Sequence, residues 1–158
     1  MELQTQPNNW SCMVTAFAIA LGVPVDYIIK ILGHDGSEII FPDLPEPECR
    51  RGFHIQEIID FARIHREQAI VEIQPQYCFG NRYDEKTWTP DIDFVKRFEN
   101  AMRDYRGVIG LRLVSGRQHA LAWDRKLTYD PRGNGHTDFT IDSEGVIVFW
   151  ILESIGTY

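Results

Sequence analysis

Positive charge is in the minority in this sequence. Sixteen lysines and arginines stand against 23 aspartates and glutamates, giving a formal net charge of −7 over 158 residues. A protein that grips nucleic acid by its phosphates needs a basic stripe. Here the basic residues are scattered in small groups, as in Arg50-Arg51, Arg63 with Arg66, and Arg125-Lys126. No nucleic-acid partner is expected. Long apolar runs are missing too, since the longest, Ala16 to Val25, is interrupted by Gly22 and Pro24 and falls short of the roughly 20 residues that a membrane span requires. The first ten residues carry Glu2, Gln4, Gln6, Asn8 and Asn9 where a signal peptide would place a basic start and an apolar middle. These absences lead us to expect a cytoplasmic protein without a membrane span.

Cysteine is also sparse. Three cannot all pair, no C-x-x-C spacing occurs, and Cys49 and Cys78 read as free thiols rather than zinc ligands. His34, His54 and His65 match no compact ligand pattern with either cysteine, so neither a metal nor an organic cofactor is expected. Gly133-Asn134-Gly135 lacks the strand and the lysine or serine of a phosphate loop and reads as a turn. Asp26, Asp35, Glu38 and Asp43 form no paired-carboxylate signature of a glycosidase.

What remains fits one core. The length suffices for a single domain, residues 1–158, and is too short for two comfortable ones. The spacing predicts a helix from Cys12 to Leu21, capped by Ser11 and apolar on nearly every side. A second helix fits Val25 to Leu32, with Tyr27, Ile28, Ile31 and Leu32 as its apolar set. Residues 34–52 read as an acidic loop broken by Pro42, Pro45 and Pro47. A third helix runs from His54, a candidate cap, to His65, with Ile55, Ile58, Ile59 and Ala62 on one stripe. Ala69 to Ile73 is a strand, 74–90 a loop, and Asp91 to Tyr105 a fourth helix with Ile92, Val95, Phe98, Met102 and Tyr105 aligned. Strands follow at Val108 to Val114, His119 to Trp123, Leu127 to Asp130, Phe139 to Ile141 and Val146 to Leu152. Helices first and a mostly antiparallel sheet second make an α+β fold.

The chemistry concentrates at Cys12. A cysteine opening a helix meets orphan N–H groups and the helix dipole, both of which favour the thiolate that attacks acyl carbons. The bland alternative is a small buried apolar residue. His119 starts an apolar strand and can serve as a base, and Asp130 ends the strand that would pair with it, placing an acid beside the imidazole. Asp130-Pro131 could equally initiate a turn. Asp124 competes, but period-2 alternation groups His119, Leu121 and Trp123 on one face and Asp124 on the other. Gln6 can supply a side-chain amide to a developing oxyanion, with Gln4 as a fallback at less favourable spacing.

These residues resemble a family pattern. Gln6-Pro-Asn-Asn-Trp-Ser-Cys12-Met-Val-Thr-Ala-Phe-Ala-Ile-Ala-Leu-Gly22, then His119-Ala-Leu-Ala-Trp-Asp, then Tyr129-Asp130-Pro131 look like the papain-like cysteine peptidases, and within them the C39-like branch. The resemblance implies a papain-like fold with Gln6 as oxyanion donor, Cys12 as nucleophile, His119 as base and Asp130 as its orienter. The diagnostic matches occupy about thirty residues. One departure stands out: glycine is common after the nucleophile, whereas Met13 follows Cys12 here and could narrow the oxyanion side. The expected activity is hydrolysis of a peptide, isopeptide or side-chain amide bond through an acyl-thioester, with a peptide or protein substrate. The groove would lie between helices and sheet, walled by the 34–52 and 74–90 loops. The alternative is a papain-fold binding module without catalysis, suggested by Met13 and by Trp10 and Trp88, which read as exposed.

Overall fold

Helix α1, Cys12–Leu21, is sealed from Val14 to Leu21, as its apolar composition demands. Gly22 stops it with φ +68°, and its N–H reaches back to the carbonyls of Ala18 and Ile19, the left-handed closure that glycine adopts most cheaply. Ser11 does not cap the helix. Its hydroxyl donates to the Asn8 carbonyl at 3.0 Å and accepts the Asn8 N–H at 3.3 Å, closing a turn instead. The computed structural model describes residues 1–74, 94–113, 115–133, 135–138 and 146–155. The expected strand at Phe139 to Ile141, nearly all of the 74–90 loop with Cys78 and Trp88, Ile92, and Val114 lie outside them.

Helix α2, Val25–Leu32, buries Val25 and Ile28 and packs Ile29 and Leu32 against the same core. Tyr27 and Ile31 are 40% and 42% exposed, so the apolar face is rotated from the expected one, with Ile29 in place of Ile31. Helix α3, Ile55–Arg66, begins at His54, whose ring accepts the Gln56 N–H while Glu57 accepts the His54 N–H. Ile58, Phe61 and Ala62 point inward. Helix α4, Phe94–Asp104, buries Phe98, Ala101 and Met102. Tyr105 falls past its end and is 40% exposed, so it does not belong to that stripe.

Six strands, β1 (Gln68–Ile73), β2 (Gly107–Arg112), β3 (Gln118–Trp123), β4 (Leu127–Tyr129), β5 (His136–Asp138) and β6 (Val146–Ser154), form one sheet in the order β1-β6-β2-β3-β4-β5. Every described pairing is antiparallel. Gly107 of β2 is required where it stands, because a β-carbon would collide with the Trp150 carbonyl of β6.

Alternation along the strands separates two apolar layers. Val108, Ala120, Ala122 and Leu152 join the core built by α1, α2 and α3. Ile109, Trp123, Phe149 and Ile151 join Phe98 and Met102 of α4. The Trp123 indole N–H donates to the Met102 carbonyl at 2.6 Å, so this buried polar group is satisfied. The architecture is α+β, with N-terminal helices packed on an antiparallel sheet. No single helix among the described residues is long and apolar enough to cross a membrane.

Candidate functional site

Small side chains decide how closely α1 approaches the sheet. Ala120 and Ala122 of β3 lie in the same core layer as α1, and their lone methyls leave room for the helix over the strand. Strand β4 pairs with β3 only at Ala122–Tyr129 and Trp123–Thr128. The start of β3 therefore extends past β4, and the Ala120 N–H meets the Cys12 sulfur there. Met13 and Cys12 itself also direct backbone N–H groups at that sulfur, which the displaced Ser11 hydroxyl leaves free of a cap.

Those donors favour the thiolate, but they do not prevail. Burial acts first and raises the Cys12 thiol above its ordinary value, and the nearby Asp130 charge raises it further. The depression expected from a helix start is thus outweighed by desolvation. At neutral pH Cys12 rests as a thiol.

His119 and Asp130 are brought together as the strand pattern predicts. Continuing the antiparallel register of β3 and β4 sets Asp130 opposite Leu121, on the face that His119 shares. His119 Nε2 lies 2.8 Å from Asp130 Oδ1, with the side chains only 6% and 15% exposed. Nε2–H donates to the carboxylate, and Nδ1 makes no hydrogen bond among the described residues. Burial lowers the His119 pKa, the Asp130 hydrogen bond and charge oppose that, and the Arg132 charge adds to the lowering. The neutral imidazole is favoured. No hydrogen bond joins the Cys12 sulfur to His119 among the described residues. A small pocket opens beside the pair, lined by Leu111, Leu113, Leu121, Thr128 and Arg132.

Asp130 serves both roles that its position suggested. Its Oδ1 accepts the Arg132 backbone N–H at 2.9 Å, and its carbonyl accepts the Gly133 N–H, so it initiates the turn as well as holding the imidazole. The Arg132 side chain also closes on the carboxylate, with Nε 3.1 Å and Nη2 2.8 Å from Oδ2. Sequence reasoning missed Arg132. Its signal was the Asp-Pro-Arg-Gly turn, in which an aspartate commonly bonds the backbone two residues on.

Gln6 joins this corner through its backbone, whose N–H donates to the Pro131 carbonyl at 2.6 Å. Its side-chain Nε2 donates to the Asn8 carbonyl at 2.8 Å, while Oε1 is buried without a partner among the described residues. Gln4 is engaged elsewhere. Its amide donates to the Val23 carbonyl at 2.7 Å and accepts the Val25 N–H at 2.8 Å, which clips the connection between α1 and α2. Asp124 is occupied as a turn former, accepting from Lys126 N–H, Leu127 N–H and the Tyr129 hydroxyl.

Met13 packs against the core beneath α1. Trp10 is not free at the surface, since its indole N–H donates to the Asp35 carbonyl, Arg50 covers its ring at 5.0 Å, and Gly36 presses against its edge. Through these contacts the 34–52 loop is anchored two residues before Cys12. Its other flank is held where Arg117, two residues before His119, donates to the Glu46 carbonyl at 3.0 Å. Between the anchors Ile39, Ile40, Phe41 and Leu44 are exposed. Among the described residues no group of three His, Cys, Asp or Glu side chains could hold a metal ion. Comparison with protein-family models, curated proteins and solved structures finds no match.

Proposed function

We propose that this chain is a cysteine-dependent amide hydrolase of the papain-like, C39-like kind, acting on a peptide or protein substrate in the cytoplasm. One observation carries the reading. A buried His119–Asp130 pair at 2.8 Å leaves Nδ1 unengaged among the described residues, and the next residue, Ala120, meets the Cys12 sulfur through its N–H. A lone structural cysteine would need none of this arrangement.

The chemistry follows from the two opposed pKa shifts. A raised thiol and a lowered imidazole both disfavour a resting thiolate–imidazolium pair. Deprotonation therefore accompanies attack: Nδ1 takes the thiol proton as sulfur bonds to the scissile carbonyl carbon. Free enzymes often hold such contacts long and tighten them on substrate, which accommodates the missing thiol–imidazole hydrogen bond. The oxyanion is received by the Cys12 N–H and by Gln6, whose amide turns its N–H from Asn8 toward the developing charge. The carbon–nitrogen bond breaks as imidazolium gives its proton to the leaving amine. Water, deprotonated by the same nitrogen, then releases the thioester. The exposed apolar stretch of the 34–52 loop forms one wall of the substrate groove.

Capture of the covalent acyl-enzyme from a cell lysate tests this. Wild-type protein should carry a substrate fragment in thioester linkage at Cys12, C12A should carry none, and the fragment identifies the substrate class. Absence of any Cys12 adduct from folded wild-type protein would overturn the reading. A second reading, a binding module that keeps the fold, is favoured by the absent thiol–imidazole hydrogen bond. It requires a lysate partner that C12A retains equally and releases unmodified.

A further inference from the structure

Arg132 makes a contact that neither turn geometry nor solubility requires. Its guanidinium meets both oxygens of Asp130, with Nε 3.2 Å from Oδ1 and 3.1 Å from Oδ2, and Nη2 2.8 Å from Oδ2. The Asp130 side chain is 15% exposed, whereas that of Arg132 is 46% exposed. A solvated arginine thus reaches inward to an acid already held by His119 and by the Arg132 backbone N–H. Fork-on-carboxylate pairs fix orientation as well as charge.

We propose that Arg132 is a positioning residue of this site, which grips Asp130 so that Oδ1 faces His119 Nε2 and the imidazole is held with its lone pair on Nδ1. The inference rests on the His119–Asp130 pair having the role given above, and it specifies how that pair is regulated. An unshared carboxylate would place its full charge on the ring and favour imidazolium, which cannot accept a proton. Arg132 draws off part of that charge and adds a positive one nearby. Both effects keep the ring neutral where the mechanism needs a base.

The charged groups that act on His119 among the described residues are Asp130, at the end of β4, and Arg132, in the turn that follows. Cys12 approaches from α1 as a neutral thiol. The Asp130 hydrogen bond in turn raises the Arg132 pKa, with the Asp130 charge and a smaller influence of Cys12 in the same direction. One guanidinium therefore opposes imidazolium twice, directly through its charge and indirectly through the carboxylate it holds.

The test uses histidine-labelled full-length protein and nuclear magnetic resonance without substrate, with His119 assigned through H119Q. In wild-type protein near neutral pH the ring should show the Nε2–H tautomer. In R132Q its titration midpoint should move upward, and in R132K, which keeps the charge, it should stay closer to wild type. R132M supplies a second uncharged variant should R132Q fail to fold. An unchanged or lowered midpoint in a folded uncharged variant would overturn the proposal, as would an equal rise in R132K. In acylation kinetics the limb reporting the base should move to higher pH in R132Q with substrate affinity retained. Because the titration needs no turnover, a protein that never acylates would defeat the proposed function and leave the Arg132 result standing.

Discussion

Among the described residues, two histidine–carboxylate–arginine groups share one pattern of contacts and part in what else the ring holds. His34 Nε2 lies 3.0 Å from Glu57, which also takes the Arg51 guanidinium at 2.9 Å. His119 Nε2 lies 2.8 Å from Asp130, which also takes Arg132. The first contacts are nearly interchangeable, and the second ring nitrogen decides. His34 Nδ1 accepts the Gly36 N–H at 3.2 Å, and its ring stacks on Phe53. Glu57 is committed further, to the His54 N–H at the start of α3. Every polar atom of that ring is spent on holding a loop to a helix. Among the described residues His119 keeps Nδ1 unengaged, and the next residue, Ala120, directs its N–H at the Cys12 sulfur. A histidine beside an acid is by itself a structural pair, and what separates these two is how the second ring nitrogen is engaged.

The sharpest test of the contrast exchanges the two histidines as targets. H119A should lower acylation by at least about 100-fold, within the range of positioned acid–base catalysis, and C12A should abolish it. H34A should leave acylation within a few-fold and appear instead in denaturant unfolding, as a loss of about 1 kcal/mol from the broken half-buried contacts. Equal kinetic loss in H34A and H119A would erase the distinction.

The carboxylates should part in the same way with smaller effects. D130N should lower acylation by about tenfold or more, because an amide supports the wrong tautomer and no longer stabilises imidazolium. E57Q should spare acylation and cost about 1 kcal/mol of stability through the weakened helix start. Acylation rates measured alongside urea midpoints would expose a reversal.

Next is pH. Burial holds the His119 pKa below 6.5 in the folded chain, so unfolding lets the ring take up a proton it otherwise refuses. The contribution is fully present above about 6.5, the unfolded value, and is lost as pH falls from there toward the folded pKa. H119Q should flatten unfolding free energy across that window. A slope unchanged by H119Q would show that another group sets it.

The smallest effect should come from the glutamines on the stability side. Q4A should cost about 1 kcal/mol, since it removes two hydrogen bonds from the α1–α2 connection, and leave acylation unaltered. Q6A should instead lower acylation, by up to about 100-fold where its amide meets the oxyanion. A kinetic loss in Q4A comparable to that in Q6A would show that the N-terminal segment acts only by its placement.

Much of this was legible along the chain because local rules governed it. The bounds of α1 and α2 follow from Cys12, Gly22, Pro24 and Gly33, and the pairing of His119 with Asp130 follows from strand alternation. The misses occurred where two local options competed. Ser11 could cap α1 or bond Asn8, and both satisfy a hydroxyl, so composition does not choose. Tyr27 and Ile31 are as apolar as Ile29, and only tertiary packing sets which side of α2 turns inward. The Cys12 thiol combines helix-start donors with burial, and the balance between them depends on depth, which a sequence does not display. The Asp130-to-Arg132 backbone bond was open to the turn signal, but the Arg132 side-chain fork was not, because it depends on where the turn aims the guanidinium.

Strand order has a consequence for how the molecule is assembled. The strand β6 lies between β1 and β2, pairing Gln68 with Ser154 on one side and Gly107 with Ile151 on the other. Its partners come from far earlier in the chain, so closing the sheet costs loop entropy that nearby contacts cannot offset. Until residues 146–154 slot in, β1 has no neighbour among the described strands and stays apart from β2 and β3, the paired strands on which α1 lies. We expect a slow, concerted folding step in which β6 joins β1, and with it α3, to the β2-β3-β4 ribbon that carries α1.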